Sequence, residues 1–261
     1  MLRALNTAAT GMASQEANVN TISNNIANVN TTGFKQKRTE FEDLLYETTT
    51  APGSRSSSTT QYNVGNQVGS GSKVSSTRTI NTQGNPIITN NVFDLMVNGE
   101  GYFGIIQPNN EIQFTRDGSF NVDNQGNLVN KDGHKLFPGI NIPPTATGVN
   151  ISESGNVDVY FKNQVASNNV GSIPLFTFVN PVGLKSVGKN LVIPSEASGQ
   201  PIQGVAGQDN VGVINQGALE AANVSIMNEM TNLIKAQRAY EMNSKVMGIA
   251  DQMLQAVTNI R

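Results

Sequence analysis

The strongest local match to a chemical motif lies at residues 99–104, which read Gly-Glu-Gly-Tyr-Phe-Gly and fit the G-x-G-x-x-G pattern of dinucleotide-binding loops. A strand-like stretch at 93–97 precedes it, as a strand does in such sites. Residues 105–110 then continue as a strand into a proline-containing turn, so no helix N-terminus is available to receive a pyrophosphate. We interpret the glycines as a hairpin or β-bulge and expect no nucleotide cofactor.

Groups for acid–base, nucleophilic or metal chemistry are sparse. The single histidine, His134, lies in a turn-like Asp-Gly-His-Lys stretch, and neither a G-x-S-x-G nor an H-E-x-x-H motif accompanies it. Three aspartates, Asp117, Asp123 and Asp132, stand beside glycine or asparagine without EF-hand spacing, which is typical of turns. The chain has no cysteine, so thiolate sites and disulfides are excluded. We expect no enzyme, no catalytic residue, no metal and no cofactor.

Charge does not select a partner. The chain has 17 basic and 19 acidic residues and a net charge of -2, which disfavours binding to nucleic acid or to an anionic membrane. We also expect no small-molecule substrate. Polar residues interrupt the apolar positions that follow Arg3, so we expect no cleaved signal peptide and no transmembrane helix.

Proline and glycine divide the chain into three regions. All ten prolines lie between Pro52 and Pro201, and all but three of the 25 glycines lie between Gly53 and Gly217. Because both residue types are unfavourable inside helices and common in turns, the two ends are candidate long helices and the middle is a candidate β region.

The N-terminal region carries an apolar stripe with spacings of three and four residues, which predicts a helix. Its other face is rich in asparagine, whose amides can bond to neighbouring segments. A glycine at Gly33 offers a left-handed C-cap. The residues of the stripe are Leu2, Leu5, Met12, Val19, Ile22, Ile26 and Val29.

The C-terminal region repeats an apolar residue every seven positions, with a smaller residue three positions further on, as at Ala236 and Ala250. This pattern predicts a long coiled-coil-like helix over 219–261. The stripes at the two ends fit either an intramolecular helical hairpin or an interface between subunits. The heptad residues are Leu219, Ile226, Leu233, Tyr240, Met247 and Leu254.

The middle region has short strand-like runs separated by Asp-Gly and Gln-Gly dipeptides, which predicts an antiparallel β domain. Before it, residues 48–76 are rich in serine, threonine and glycine, so we expect a linker or extended loop there. The predicted fold class is α+β. The predicted segments are a helix at 1–33, a linker at 34–75, a β domain at 76–200, a return linker at 201–218 and a helix at 219–261.

Residues 19–35, which read VNTISNNIANVNTTGFK, resemble the N-terminal signature of flagellar rod and hook proteins. Residues 236–245 and 251–254 are similar to their C-terminal signature, and residues 99–103 and 115–120 extend the resemblance into the β region. The residues assigned to the signature are Asn24, Asn25, Ala27, Asn28, Gly33, Phe34, Gln237, Arg238, Tyr240, Asn243 and Ser244.

The segment at 41–48, with Pro52-Gly53 and residues 68–71, favours the distal rod over the proximal rod or the hook. The resemblance implies a structural subunit whose terminal helices pair into a coaxial rod domain and whose polymer is a rigid helical drive shaft that carries torque from motor to hook. The apolar residues of both helices would form the assembly interface. A loop with Pro52, Gly53, Tyr62, Val64 and Val68 would brace neighbouring subunits.

The resemblance also implies the setting. The subunit would pass unfolded through the flagellar type III export apparatus without a cleaved signal and join the basal-body rod that crosses the periplasm to the outer membrane. Its partners would be copies of itself, the proximal rod proteins, the hook protein and the L- and P-ring proteins. Two other classes are weaker alternatives, namely a secreted β-domain binding module on an oligomerising helical stalk and an enzyme acting on peptidoglycan.

Overall fold

The computed structural model describes residues 2–55, 61–162 and 166–258, and the chain divides into two units. One unit, called here the helical unit, comprises Met1–Ala27, Lys37–Thr79 and Ser225–Arg261. The other, the β unit, comprises Asn28–Gln36 and Ile80–Val224. Helices near both ends and antiparallel strands between them make the class α+β, as predicted.

The helical unit contains two long helices that pack against each other, α1 (Leu2–Ala27) and α2 (Ile226–Thr258). Neither contains proline, and apolar residues recur at helical spacing along both. Small residues line part of the contact, because Ala8 on α1 and Ala236 and Ala250 on α2 are buried. Such residues let two helices approach closely.

Four strands complete the helical unit: β1 (Lys37–Asp43), β2 (Tyr46–Thr50), β3 (Asn66–Gly69) and β4 (Ser72–Thr79). β1 pairs antiparallel with β4, and β2 pairs antiparallel with β3. A backbone hydrogen bond of 2.9 Å from Leu44 N to Gly71 O connects the two pairs. The strands therefore form one long hairpin, called here the arm, and the β1–β4 pair packs on α1.

The arm corrects the prediction of a linker over 34–75. The segment is poor in apolar residues, but β1 and β4 satisfy their backbone groups by pairing along their whole length, from Lys37 opposite Thr79 to Asp43 opposite Ser72. Threonine and aromatic residues in these strands also have good β propensity. The part of the predicted loop at 56–60 lies outside the described residues.

The β unit contains sixteen described strands, and the two largest sheets have seven and three strands. The seven-stranded sheet has the order β16-β17-β8-β7-β11-β10-β9, and the three-stranded sheet is β12-β13-β14. The strands are β5 (Pro86–Ile88), β6 (Leu95–Asn98), β7 (Phe103–Ile106), β8 (Ile112–Thr115), β9 (Asn121–Val122), β10 (Leu128–Val129), β11 (Lys135–Leu136), β12 (Ala146–Ile151), β13 (Asn156–Phe161), β14 (Asn168–Ser172), β15 (Leu175–Thr177), β16 (Lys185–Gly188), β17 (Leu191–Ile193), β18 (Ile202–Gly204), β19 (Val213–Gln216) and β20 (Ala218–Glu220).

One main core fills the β unit. It draws buried side chains from both sheets and from β6, β15 and β19, and Leu95, Phe103 and Val157 are fully buried in it. A smaller aromatic cluster of Phe114 and Phe176 with Phe178 packs edge to face, at ring-centroid distances of 5.0 and 5.1 Å. These cores hold the strands whose ends carry the polar residues described below.

The predicted C-terminal helix begins seven residues too early. Leu219 lies in β20, where its backbone pairs with Ile87 of β5, and α2 begins only at Ile226. A backbone already paired in a ladder cannot make helical hydrogen bonds, so the heptad spacing of Leu219 is coincidental. The predicted return linker at 201–218 is also wrong, because β18 and β19 lie within it.

The N-terminal helix ends at Ala27, so Val29 lies in the turn that follows. Gly33 has the predicted left-handed conformation, with φ of +68°, but it lies six residues beyond the helix and is not its C-cap. Among the predicted turns, Gly126 and Gly133 close the β9–β10 and β10–β11 hairpins with positive φ. The Asp117-Gly118 dipeptide joins β8 to β9, which do not pair with each other, so it is not a hairpin turn.

Residues 99–104 form a turn between β6 and β7 and not a nucleotide loop. Gly99 and Gly101 have φ of +106° and +144°, and the chain continues directly into β7 without a helix. The glycine pattern is thus explained by backbone conformation. The predicted hairpin is not formed, because β6 pairs with β19 whereas β7 pairs with β8 and β11. His134 lies half-buried in the β10–β11 turn, where its backbone N–H donates to Asn130 Oδ1 at 2.9 Å.

Candidate assembly surfaces and polar anchors

The contact between α1 and α2 uses part of the predicted apolar stripes. Ile22 of α1 is buried, and Leu233, Met247 and Leu254 of α2 are half-buried on the same face as the buried alanines. Gly11 marks a close approach of the two helices, because a Cβ atom there would lie 2.8 Å from Asn243 Nδ2. The half-buried stripe residues of α1 are Leu5, Met12, Val19 and Ile26.

Other residues of the predicted stripes are exposed. Leu2 at the start of α1 and Ile226 and Tyr240 on α2 lie largely open to solvent in the single chain. Leu219 and Val29 lie outside the helices. The structure therefore brings together only some residues of each predicted stripe. Whether any of them forms an interface between subunits stays a prediction.

A second apolar face of α2 was not predicted. Met242, Val246, Ile249 and Met253 are exposed and follow one another at spacings of four, three and four residues, which places them on one side of the helix. Met227, Met230 and Ile234 form a similar exposed row in the N-terminal half of the helix. A soluble helix normally buries such a row, so this exposed face of α2 is a candidate contact surface.

Asn25 joins three elements of the helical unit. Its Nδ2 atom donates to Lys37 O at 2.7 Å and to Glu229 Oε2 at 3.0 Å, and its Oδ1 atom accepts from Lys37 N at 2.9 Å. Asn25 and Glu229 are both 1% exposed. One amide thus fastens α1 to the first residue of β1 and to the first turn of α2.

Two further polar contacts hold the arm on α1. Thr39 of β1 donates to Thr21 Oγ1 at 2.9 Å, and Ser14 of α1 donates to Ser72 O at 3.3 Å. These contacts lie on the polar face of α1, which the sequence predicted would bond to neighbouring segments. The arm is therefore anchored at its base by side-chain hydrogen bonds and not by a large apolar core.

The outer part of the arm is exposed. Pro52, Gly53, Tyr62 and Val64 face solvent, and Val68 of β3 is half-buried. Backbone hydrogen bonds of 2.8 Å from Gly53 N to Tyr62 O and from Tyr62 N to Ser54 O extend the pairing beyond β2 and β3. The predicted loop residues thus lie on an ordered hairpin that presents aromatic and apolar side chains.

A buried ion cluster forms in the β unit. Glu220, which is 1% exposed, accepts hydrogen bonds from Lys35 Nζ at 2.6 Å, Arg116 Nε at 2.8 Å and Gly84 N at 2.9 Å. Arg116 also donates to the carbonyl oxygens of Gly99 and Gly101. The cluster therefore ties together four separate parts of the chain and explains the positive-φ turn before β7.

The three charges of this cluster respond differently to burial. Burial alone would raise the pKa of Glu220, but the positive charges of Arg116 and Lys35 outweigh it and hold that pKa below its usual range. Burial lowers the pKa of Lys35, and the attraction of Glu220 compensates only partly because Arg116 also repels the ammonium. One carboxylate thus serves two cations, which makes Glu220 the residue on which the cluster depends.

A second polar cluster surrounds Asp117. Its Oδ1 accepts from Thr32 Oγ1 at 2.7 Å, and its Oδ2 accepts from Lys131 Nζ at 2.8 Å and Asn190 Nδ2 at 3.2 Å. Burial would raise the pKa of Asp117, but the hydrogen bonds from Lys131 and Thr32 outweigh it and lower that pKa. Gly33 packs directly on the backbone of this region, because a Cβ atom there would lie 2.7 Å from the backbone of Arg116.

Asn223 forms hydrogen bonds to two other segments of the β unit. Its Oδ1 accepts from Gln36 N at 2.6 Å, and its Nδ2 donates to Ile80 O at 2.8 Å and Thr82 O at 3.0 Å. Segments 28–36, 80–84 and 220–223 of the β unit are thus bonded to one another. They are the segments at which the chain leaves this unit.

These anchors account for part of the predicted signature. Asn25, Gly33 and Asn243 lie at close contacts, and Asn24 and Asn28 are also engaged. Phe34 is half-buried, whereas Ala27, Gln237, Arg238 and Ser244 are exposed. The sequence did not identify Glu220, Arg116, Asp117 or Asn223 as anchors. The available signal was an arginine followed directly by an aspartate at the end of a strand-like stretch, and a single glutamate in an otherwise uncharged stretch.

Across residues 2–55, 61–162 and 166–258, no group of three acidic or histidine side chains is arranged to hold a metal ion. In the same residues, neither helix is long and apolar enough to span a membrane. The geometry provides exposed apolar surface on α2 and on the arm, and buried polar anchors within each unit.

Three protein-family models match the sequence. "Flagella basal body rod protein" matches residues 5–35, "Flagellar hook protein FlgE/F/G D1 domain" matches 96–159, and "Flagellar basal body rod FlgEFG protein C-terminal" matches 215–260. The N-terminal match includes Asn25 and Gly33. The C-terminal match includes Glu220 and the whole of α2.

Whole-length relatives are also found. The flagellar basal-body rod protein FlgG of Caulobacter vibrioides is 47% identical over 261 residues, which cover 100% of both chains. The protein of the same name from Borreliella burgdorferi is 43% identical over 263 residues, which cover 100% of this chain and 99% of the relative. A crystal structure of Helicobacter pylori flagellar hook protein FlgE2 is 16% identical in sequence, and the alignment covers 71% of this chain and 43% of the FlgE2 chain. Its TM-score of 0.26 is too low to compare the folds.

Proposed function

This chain belongs to the family of flagellar basal-body rod proteins named FlgG, and on that premise we propose that it polymerises with copies of itself into the distal rod, a rigid helical drive shaft that carries torque from motor to hook. The observation that carries the proposal is the exposed apolar face of α2. In a helical polymer, head-to-tail contacts repeat without closing, so each subunit needs surface that is open in the single chain and covered in the assembly.

The terminal helices supply that surface. α1 and α2 pair within one subunit, and the pair stacks against the pairs of neighbouring subunits as a coiled-coil-like inner tube around the rod axis. Met242, Val246, Ile249 and Met253 face those neighbours. Full burial of such a side chain contributes about 1.5 to 3 kcal/mol, and because these residues are about half exposed in the single chain, assembly gains about half of that for each. Every subunit of the polymer repeats this gain.

The setting follows from the family. The subunit leaves the cell interior through the flagellar type III export apparatus without a cleaved signal peptide and assembles in the periplasm. Proximal rod proteins and the hook protein lie at its two ends, and the L- and P-ring proteins surround it. The role is structural and not enzymatic, so no catalytic residue, cofactor, small-molecule substrate or nucleic acid takes part.

The arm braces neighbouring subunits. It is an ordered two-stranded ribbon with its base on α1, and its outer part presents Tyr62 and Val64 to solvent. A ribbon of this kind resists bending better than a disordered linker does, and its exposed apolar side chains dock on adjacent copies. We assign the stiffness of the rod to these contacts.

The assembly surface is tested by Ile249→Asp. Ile249 is 55% exposed, so the charge leaves the free subunit folded but is buried in the rod, where it abolishes assembly. Gln255→Asp, at an exposed position on another side of α2, is the matched control. Electron microscopy of basal bodies and motility measure assembly, and circular dichroism verifies the fold. Rods built normally from Ile249→Asp would refute the assigned surface.

The brace is tested by deleting residues 53–63. Ala51, Pro52, Val64 and Gly65 then form a short loop between Thr50 and Asn66, which pair with each other, so β2 and β3 keep their register. We expect rods that assemble but bend. Straight rods in electron micrographs would show that stiffness resides elsewhere, and absence of rods would show that the arm is needed for polymerisation itself.

A further inference from the structure

The sulfur atoms of this protein are concentrated on one helix. The chain has eight methionines but neither cysteine nor tryptophan, so thioethers are its most readily oxidised side chains. Five of the eight, Met227, Met230, Met242, Met247 and Met253, lie on α2. Oxidation of this protein is therefore directed to the helix that carries the exposed apolar face.

Exposure separates these methionines into classes. Met227, Met230, Met242 and Met253 are 77%, 46%, 61% and 45% exposed, whereas Met96 in the core of the β unit is 3% exposed. Met12 and Met247 are half-buried where α1 and α2 pack. Because oxidation of methionine follows access to the sulfur, the four exposed residues react first and Met96 reacts last.

We propose that Met227, Met230, Met242 and Met253 form a reversible oxidation site that controls whether the free subunit can assemble. The oxidant is a hydroperoxide. A sulfur lone pair attacks the terminal peroxide oxygen, an S–O bond forms as the O–O bond breaks, and sulfur loses two electrons. With hydrogen peroxide the departing hydroxide takes the proton of the hydroxyl group now on sulfur and leaves as water, so each event adds one oxygen atom to the protein.

The consequence follows from polarity. A sulfoxide is polar and strongly accepts hydrogen bonds, and in an apolar contact it has no donor to satisfy it. In the free subunit the oxidised side chains remain in water and the fold is unaffected. Assembly is prevented because the oxidised face must leave water, a step that rests on the proposed function. Methionine sulfoxide reductases reverse the modification and restore competence.

The chemistry is tested on the purified full chain with hydrogen peroxide and peptide mass spectrometry. We expect sulfoxide at the four exposed residues at least about tenfold faster than at Met96, because susceptibility follows exposure. Treatment with the two sulfoxide reductases should remove the added oxygen atoms. Oxidation of Met96 at the same rate as the α2 residues would overturn the inference.

The effect on assembly is tested in cells whose only rod protein of this family is a variant. Replacing all four exposed methionines with glutamine, a polar side chain of similar length, should abolish rods and motility. Replacing the same four with leucine, which keeps size and polarity, should preserve both. Circular dichroism of both free subunits should match that of the parent protein.

The outcomes are separable from the proposed function through Ile249→Asp. If that variant builds no rods but the fourfold glutamine variant does, the face is an interface but oxidation does not control it, and only this inference fails. A fourfold leucine variant that builds no rods also overturns it, because polarity would then not be the cause. If Ile249→Asp itself builds rods, the assembly surface assigned under the proposed function is refuted, and the inference about oxidation, which rests on it, is refuted with it.

Discussion

Replacing Glu220 with glutamine removes the only carboxylate of the buried ion cluster at nearly constant volume. Lys35, Arg116 and Glu220 have side chains only 10%, 8% and 1% exposed, so solvent screens the cluster little. Glutamine keeps one oxygen acceptor but turns an NH2 group toward donors, and two cations remain without a counter-charge. Loss of one partner of a buried ion pair costs about 3 to 5 kcal/mol, mainly because the remaining charge stays buried.

The expected loss of stability is large enough to measure in the β unit alone. At about 2 to 4 °C per kcal/mol for a unit of this size, the melting temperature should fall by roughly 6 to 20 °C. Amide hydrogen exchange of peptides from β7 and β13 reports the opening free energy of this unit directly. Glu196→Gln, at an exposed glutamate, is the control and should change stability by less than about 0.5 kcal/mol.

A companion variant tests the reasoning about charge balance. Lys35→Met removes one cation but leaves Glu220 paired with Arg116, and its apolar chain retains much of the lysine packing. It should therefore cost clearly less than Glu220→Gln. A loss below about 1 kcal/mol for Glu220→Gln, or a larger loss for Lys35→Met, would refute the view that one carboxylate holds two cations.

Three further outcomes follow from the polar anchors and the turns. Because the pKa of Glu220 is lowered from its ordinary value of 4.5, its contribution to stability is present above that pH and lost as pH falls further, so acid titration of unfolding should be shallower in Glu220→Gln. Gly33→Ala should lower the free energy of unfolding by more than about 2 kcal/mol, since a backbone clash adds to the strain of positive φ. Gly133→Ala, which has open space around its Cβ position, should lower it by only about 1 to 2 kcal/mol. Thermal unfolding measures both. Asn25→Ala should destabilise the helical unit by about 2 to 3 kcal/mol in hydrogen exchange of α1, because it removes the three hydrogen bonds of a buried side chain. Asn20→Ala, at an exposed position of the same helix, should be neutral or slightly stabilising.

The helices were predictable from the sequence because their signal is local. Apolar residues at spacings of three and four, with no proline, identify α1 and α2 without knowledge of any partner. The error at Leu219 has the same origin. Its spacing from Ile226 fits the heptad pattern, but the pairing of β20 with β5 depends on residues 86–88, which lie more than a hundred positions away. Periodicity carries no information about such a partner.

The arm was missed for a related reason. A two-stranded ribbon with solvent on most sides needs little apolar content, so its composition resembles that of a linker. Its order depends on pairing Lys37 with Thr79 and on hydrogen bonds to α1, and neither is visible in a local window. The ion cluster is equally non-local, because Lys35 and Glu220 are 185 residues apart.

The buried polar anchors suggest why segments near both ends of the chain carry such a specific sequence. Apolar side chains of similar size would stabilise the same positions as well or better, because removing charges and amides from water is costly. Asn25, however, forms its three hydrogen bonds only when Lys37 and Glu229 are both in place, and Glu220 only when Lys35, Arg116 and Gly84 are. Shifting any of these segments by one residue would leave buried groups unpaired at about 1 to 3 kcal/mol each. Within each unit, the anchors thus favour one register of the segments over registers shifted by a residue. A polymer that repeats one subunit along a shaft requires this selection, since every error of register would be repeated in its contacts.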